Sequence, residues 1–199
     1  VQPCNQPDVE SARAQARSMA AAYEAEGALP SPEAAFEDGG IRVVTDRAGG
    51  TLAEALRSFL SEGESGDYVA VQAYVAPTPE TAAALEELRE ALRRRTGLAT
   101  TVGYGPRFLH STGQLHKGDR GNGLFVQIVD VPGSDAPIPR DLGTEESTMT
   151  FGVLVNAQAL GDRQALIDAG RRVIRFELGR GTDADIRRLA QAVDRTTRT

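Results

Sequence analysis

The sequence predicts an α/β protein: a layered sheet with helices packed on it, preceded by a helical N-terminal arm. Three observations lead there. Short apolar, β-branched runs alternate with longer segments of helical spacing from residue 68 onward, which points to a sheet covered by helices. A stretch rich in Pro, Gly, Glu and Ala, residues 27–40, separates this body from an Ala- and Arg-rich opening segment. At 199 residues, with 40 % apolar and 25 % charged residues, the chain can bury a core of its own.

The elements follow in order. Asp8 to Ala25 reads as a helix that Asp8 can cap and that Gly27 and Pro30 stop. Residues 1–40 are therefore expected to be an arm and linker, and residues 41–199 an α/β domain. Ile41 to Thr45 is a short strand. Thr51 to Leu60 is an amphipathic helix, with Leu52, Leu56, Phe59 and Leu60 on one face. Tyr68 to Val75 reads as a buried strand. Thr78 to Arg95 is a helix, with Thr78 before Pro79 at its start, arginines in its last turn and Gly97 beyond it. Arg93, Arg94 and Arg95 suit a solvated helix end, and a phosphate patch is the alternative. Thr100 to Tyr104 and Leu124 to Val129 are strands, followed by a polar loop from Pro132 to Ser147. Phe151 to Ala169 is a helix in which Gly161 offers a break. Arg172 to Leu178 is the last strand and Asp183 to Arg195 the last helix. The body reads β-α-β-β-α-β-α, which fits a parallel sheet covered on both faces and a split β-α-β sheet alike.

Composition excludes several function classes. No apolar run reaches the roughly 18–20 residues of a membrane span. A net charge of −6 argues against general nucleic-acid binding. The single cysteine, Cys4, allows neither an internal disulfide nor a cysteine zinc site, and suits a packed small residue in a reducing, cytoplasmic compartment. The chain opens at Val1 without a signal-peptide pattern, so it is expected to be a piece of something longer.

Chemistry concentrates in residues 103–123, GYGPRFLHSTGQLHKGDRGNG. Both histidines, His110 and His116, and the one lysine, Lys117, lie there with Arg107, Ser111, Thr112, Gln114, Arg120 and six glycines. Histidine moves protons near neutral pH. Glycine-rich backbone with Ser, Thr, Lys and Arg can hold phosphate, so a sugar phosphate suits the set. A connection between strands whose polar groups satisfy backbone fits equally well. Two histidines six apart without a third ligand do not make a metal site. The opening segment, CNQPDVESAR, reads by itself as a turn and helix start, with Glu10 and Arg13 forming a surface pair.

A family resemblance joins the two segments. Gln6-Pro7-Asp8-Val9-Glu10-Ser11-Ala12-Arg13 resembles the Gln-Pro-Gly-Val-Glu-x-x-Lys signature of glucose-6-phosphate isomerases, with Arg13 at the lysine and Asn5 at a usual aspartate. The run GYGPRFLHSTGQLHKG, with DYVAVQAYVAPTPE, TFGVLVNAQALGD and RRVIRFEL, is similar to the C-terminal part of actinobacterial and transaldolase-fused isomerases. Together these cover roughly residues 2–178. In ordinary isomerases the histidine motif precedes Gln-Pro-x-Val-Glu, whereas here it follows.

The resemblance implies interconversion of glucose 6-phosphate and fructose 6-phosphate through a cis-enediol, a step of glycolysis and gluconeogenesis, with neither metal nor organic cofactor. It implies His110 as the ring-opening group, with Glu10 and Arg13 as the other catalytic candidates. Gln6, Arg107, Ser111, Thr112, Gln114, His116 and Lys117 are the substrate-binding candidates. The proton-shuttling glutamate and the phosphate loops are expected outside this chain, so the chain alone is expected to be inactive. The implied partners are a sugar phosphate, the sugar-isomerase domains of the same longer chain, and a second copy in a homo-oligomer. Neither nucleic acid nor membrane is expected. The competing expectations are a structural or subunit-interaction domain and a sugar-phosphate binding module.

Overall fold

A computed structural model describes residues 6–130, 135–140, 146–179 and 181–195. Cys4 and Asn5 fall outside these residues, as does part of the loop expected from Pro132 to Ser147.

The chain opens with helix α1, Pro7–Glu26, which ends at Gly27 with φ 73°. That left-handed conformation is the one glycine adopts without strain. Strands β1, Phe36–Asp38, and β2, Ile41–Val44, form a hairpin. Helix α2, Leu52–Leu60, starts at Thr51, whose hydroxyl accepts from the Glu54 amide. Then come β3, Tyr68–Tyr74; α3, Pro79–Thr96; β4, Ala99–Tyr104; α4, Ser111–Gly118; and β5, Gly123–Val129. A small pair, β6 (Pro137–Ile138) and β7 (Met149–Thr150), precedes α5, Phe151–Asp168. Strand β8, Arg172–Glu177, and helix α6, Thr182–Arg195, complete the described chain.

The main sheet has the order β1-β2-β8-β5-β3-β4. Strands β8, β5, β3 and β4 run parallel, and the β1–β2 hairpin adds antiparallel to β8. The α/β architecture is as the sequence predicts. The two sheet arrangements left open resolve to a parallel core covered on both faces. Strand β5 is buried at every position, as a central parallel strand must be.

Side chains alternate between two layers. Val69, Val71, Ala73, Leu124, Val126, Ile128, Ile174 and Phe176 share one core with α2, α3 and α6. On the other face Ala70, Phe125 and Val173 meet Leu166 of α5, while Tyr74 and Val129 meet Phe108 and Ala159. Helix α1 lies outside α5, joined to it through Ala12, Ala16, Leu109 and Ala165.

Three elements differ from the sequence reading. Strand β1 lies within the expected linker, so the division at residue 40 falls inside a hairpin. Pairing to β2 makes a strand of three residues that carry no pattern of their own. Helix α4 lies where a loop was expected between two strands, and it supplies the crossover that lets β4 and β5 both run parallel to β3. Helix α5 runs unbroken through Gly161. A Cβ there would come within 2.4 Å of the Ala16 backbone nitrogen, so the glycine marks the close approach of α1. The run at the end of α3 behaves as a helix terminus, with Arg94 pairing with Glu90 and Asp194.

Candidate functional site at the α1–α4 junction

The two segments singled out from the sequence meet in space. Arg13, two turns into α1, reaches across to the chain between β4 and α4. Its Nε donates to the Leu109 carbonyl at 3.1 Å, and one terminal nitrogen lies 3.3 Å from His110 Nδ1. The other terminal nitrogen donates to Glu10 at 2.7 Å, the i,i+3 pair expected from the sequence.

A second contact locks the same junction. The Asp8 amide donates to the Gln114 side-chain oxygen at 3.1 Å, and the Gln114 side-chain nitrogen donates to the Asp8 carboxylate. Asp8 thus sits inside the first turn and holds α4, rather than capping α1 with its side chain. Gln6 is the half-buried residue ahead of that turn, and its carbonyl accepts from the Glu10 amide.

Local structure fixes where His110 stands. Residues Arg107–Leu109 form a 3-10 turn whose Phe108 and Leu109 side chains are buried. The His110 amide donates to the Arg107 carbonyl at 3.1 Å, and its own carbonyl accepts from Gly113 at 2.9 Å at the start of α4. Gly113 has no room for a side chain, since a Cβ would lie 1.7 Å from the Phe108 oxygen. The glycine here serves close packing. His110, Arg107, Ser111 and Thr112 are all exposed on this turn.

His116 and Lys117 lie elsewhere, and this corrects their expected place among the substrate-binding groups. Each is within 4 % of full burial. Helix α4 presents His110 at its start and turns the later pair into the core. The His116 ring stacks on Phe108 and meets Phe125 edge-on, with centroids 5.6 and 5.0 Å apart, and its Nδ1 lies 3.4 Å from the Gln72 side-chain nitrogen. Burial first, and the Lys117 charge second, pull its pKa down to about 4, so it is neutral at pH 7. Lys117 forms an ion pair with Asp162 of α5 and points at the Phe108 carbonyl 3.5 Å away. Burial pushes the Asp162 carboxyl upward, against the pull of the lysine. Arg171 closes the far end of α4 on the carbonyls of His116, Lys117 and Asp119.

A row of polar residues under α5 escaped the sequence reading. Gln72, Gln127 and Arg175 occupy facing positions on β3, β5 and β8. Arg175 donates to Gln127 at 2.7 Å, to Glu177 at 2.9 Å and to Asn156 at 3.1 Å. Gln127 in turn donates to the Ala159 carbonyl at 3.0 Å. The signal was present: a glutamine in each of two otherwise apolar strands. Asp162 gave no such signal, because one acid in a helix ordinarily faces water.

Among the described residues no helix is long and apolar enough to cross a membrane. Nor do three His, Cys, Asp or Glu side chains cluster there as a metal requires. No protein-family model matches the chain, and no curated protein matches it. Among solved structures, a hypothetical protein, TT0462, from Thermus thermophilus is similar in fold, with a TM-score of 0.56 at 22 % identity. The similarity covers 73 % of this chain but only 38 % of that one, so the chain spans well under half the length of the protein it resembles.

Proposed function

We propose that this chain is the C-terminal portion of a glucose-6-phosphate isomerase, interconverting glucose 6-phosphate and fructose 6-phosphate through a cis-enediol. The observation that carries the reading is the contact between Arg13 and His110, 97 positions apart. The two segments that resemble the family do so independently, and they form one exposed cluster.

The cluster suits ring opening. That step breaks the C1–O5 bond of the pyranose, delivers a proton to O5 and takes one from the O1 hydroxyl. An exposed imidazole can serve both ends in turn: its Nε2 gives a proton to O5 and regains one from the O1 hydroxyl, so the ring finishes unchanged. Glu10 and Arg13 place a carboxylate and a guanidinium on its flank. Arg107, Ser111 and Thr112, exposed on the same turn, offer donors to phosphate or sugar hydroxyls. The isomerisation moves a hydrogen from C2 to C1 without net oxidation, so proton-transfer groups suffice. The carboxylate for that transfer, and the loops that hold the phosphate, belong in this reading to the sugar-isomerase domains of a longer protein.

The burial of Lys117 and of the neutral His116 ring favours a second reading, a structural or subunit-interaction domain, because it keeps both side chains from any phosphate site. One experiment separates the two. Turnover of glucose 6-phosphate is measured in the longer protein with and without His110→Ala, and in this chain alone. The isomerase reading expects a loss in kcat of roughly 100-fold or more, the scale of a general acid-base group. An unchanged kcat overturns it.

A further inference from the structure

We infer that Arg13 is a positioning residue that fixes the tautomer of His110, so that Nδ1 accepts from Arg13 and Nε2 carries the hydrogen. The lysine that the family resemblance puts at this position would contact substrate, whereas this arginine is committed to its own chain.

The geometry assigns that role. A guanidinium has five donors and no acceptor. In the contact between the Arg13 terminal nitrogen and His110 Nδ1, 3.3 Å long, the ring nitrogen must therefore offer its lone pair. The neutral ring then bears its hydrogen on Nε2.

The same guanidinium cannot rotate away freely. Its Nε is held by the Leu109 carbonyl and its other terminal nitrogen by Glu10. Leu109 is the residue just before His110, so Arg13 fixes both the backbone approach to the histidine and its ring. The His110 backbone is fixed besides, through Arg107 and Gly113. What remains is rotation and tautomer of the ring, and Arg13 addresses both. A lysine ammonium is a single point on a flexible stem and cannot span three acceptors lying in a fork. The arrangement accounts for an arginine at this position.

For chemistry, and here the inference rests on the proposed isomerase function, a neutral ring with its hydrogen on Nε2 offers a defined donor to the sugar ring oxygen. A tautomer set by a neighbour is one way an imidazole is readied for proton transfer.

The test uses long-range proton–nitrogen NMR of the imidazole rings in this chain at a pH where both are neutral. The chain has two histidines, and His110→Gln assigns them. Wild-type His110 is expected to show a single tautomer with hydrogen on Nε2. Arg13→Met and Arg13→Lys are expected to show averaging between the two neutral forms, with circular dichroism unchanged. A hydrogen on Nδ1 in the wild type overturns the inference without any variant. So does an identical pattern in all three proteins. In the isomerase-competent longer protein, Arg13→Met is expected to lower kcat roughly 10- to 100-fold at near-constant KM, within the range of a misdirected catalytic imidazole. If the tautomer pattern holds while His110→Ala retains full turnover, the proposed function fails and the positioning stands.

Discussion

Gly161 of α5 packs against the backbone of Ala16 of α1 with no space for a methyl group between them. This approach sets the distance at which α1 lies on the body, and so the distance from Arg13 to the turn bearing His110.

Gly161→Ala is therefore expected to lower stability by roughly 1–3 kcal/mol, the usual cost of overpacking a tight contact. The loss should fall mainly on α1. Hydrogen exchange will show it: amides of residues 9–20 should lose protection while those of β5 keep theirs. Uniform protection would mean that α1 is not seated through this glycine.

Lys117→Met is expected to cost about 3–5 kcal/mol, because it leaves the Asp162 carboxylate buried without its partner. The double variant Lys117→Met with Asp162→Leu should regain most of that loss, since a buried ion pair replaced by apolar groups of similar size is often neutral. Urea unfolding of the three proteins makes the comparison. A Lys117→Met protein as stable as wild type would show that the pair is not closed in solution.

Stability is expected to fall as pH drops from 6.5 towards 4 through His116. Its pKa in the folded chain, about 4, lies below the ordinary value of 6.5. Between those values the unfolded chain takes up a proton that the folded chain refuses, so folding weakens with acidification and levels off below pH 4. The contribution is on the order of 3 kcal/mol. His116→Gln should remove this part of the slope in urea midpoints taken across the window. An unchanged slope would place the titration elsewhere.

Gln114→Ala removes both contacts to Asp8, one of them to a carboxylate, and is expected to cost about 1–3 kcal/mol. Its sharper signature is faster proteolysis between α1 and β1. Cleavage at the wild-type rate would show that Gln114 does not hold α1 to α4.

Much of the fold was legible because its elements announce themselves locally. The cap of α3 is a reciprocal pair between Thr78 and Thr81 with Pro79 at the first turn, and Gly97 follows at φ 72°. The strands at 68–74, 123–129 and 172–177 are apolar runs of fitting length. The misses share a cause. Strand β1 is a strand only because β2 pairs with it, and α4 contains glycines whose reason lies in the Phe108 carbonyl pressed against one of them. For the site, residue type singled out 103–123. It could not tell His110 from His116, because what separates them is the company of Tyr68, Gln72 and Phe125 around the second ring, all distant in sequence. The meeting of Arg13 with His110 likewise has no local signature.

Arg13 meets His110 only where α1 rests on a surface that α4 and α5 provide. The parallel strands β3, β4 and β5 lie close in sequence, whereas β2 pairs with β8 over a span longer than that from Arg13 to His110, Arg42 opposite Glu177. Helix α1 adds its half of the junction from outside the sheet, and it has nothing to rest on until α5 is in place to receive it. Acquisition of the junction is thus expected after α5 has packed on the sheet. On the same ground the junction is expected to be lost first under mild denaturant, with the contact between Arg13 and His110 gone while the strands remain intact.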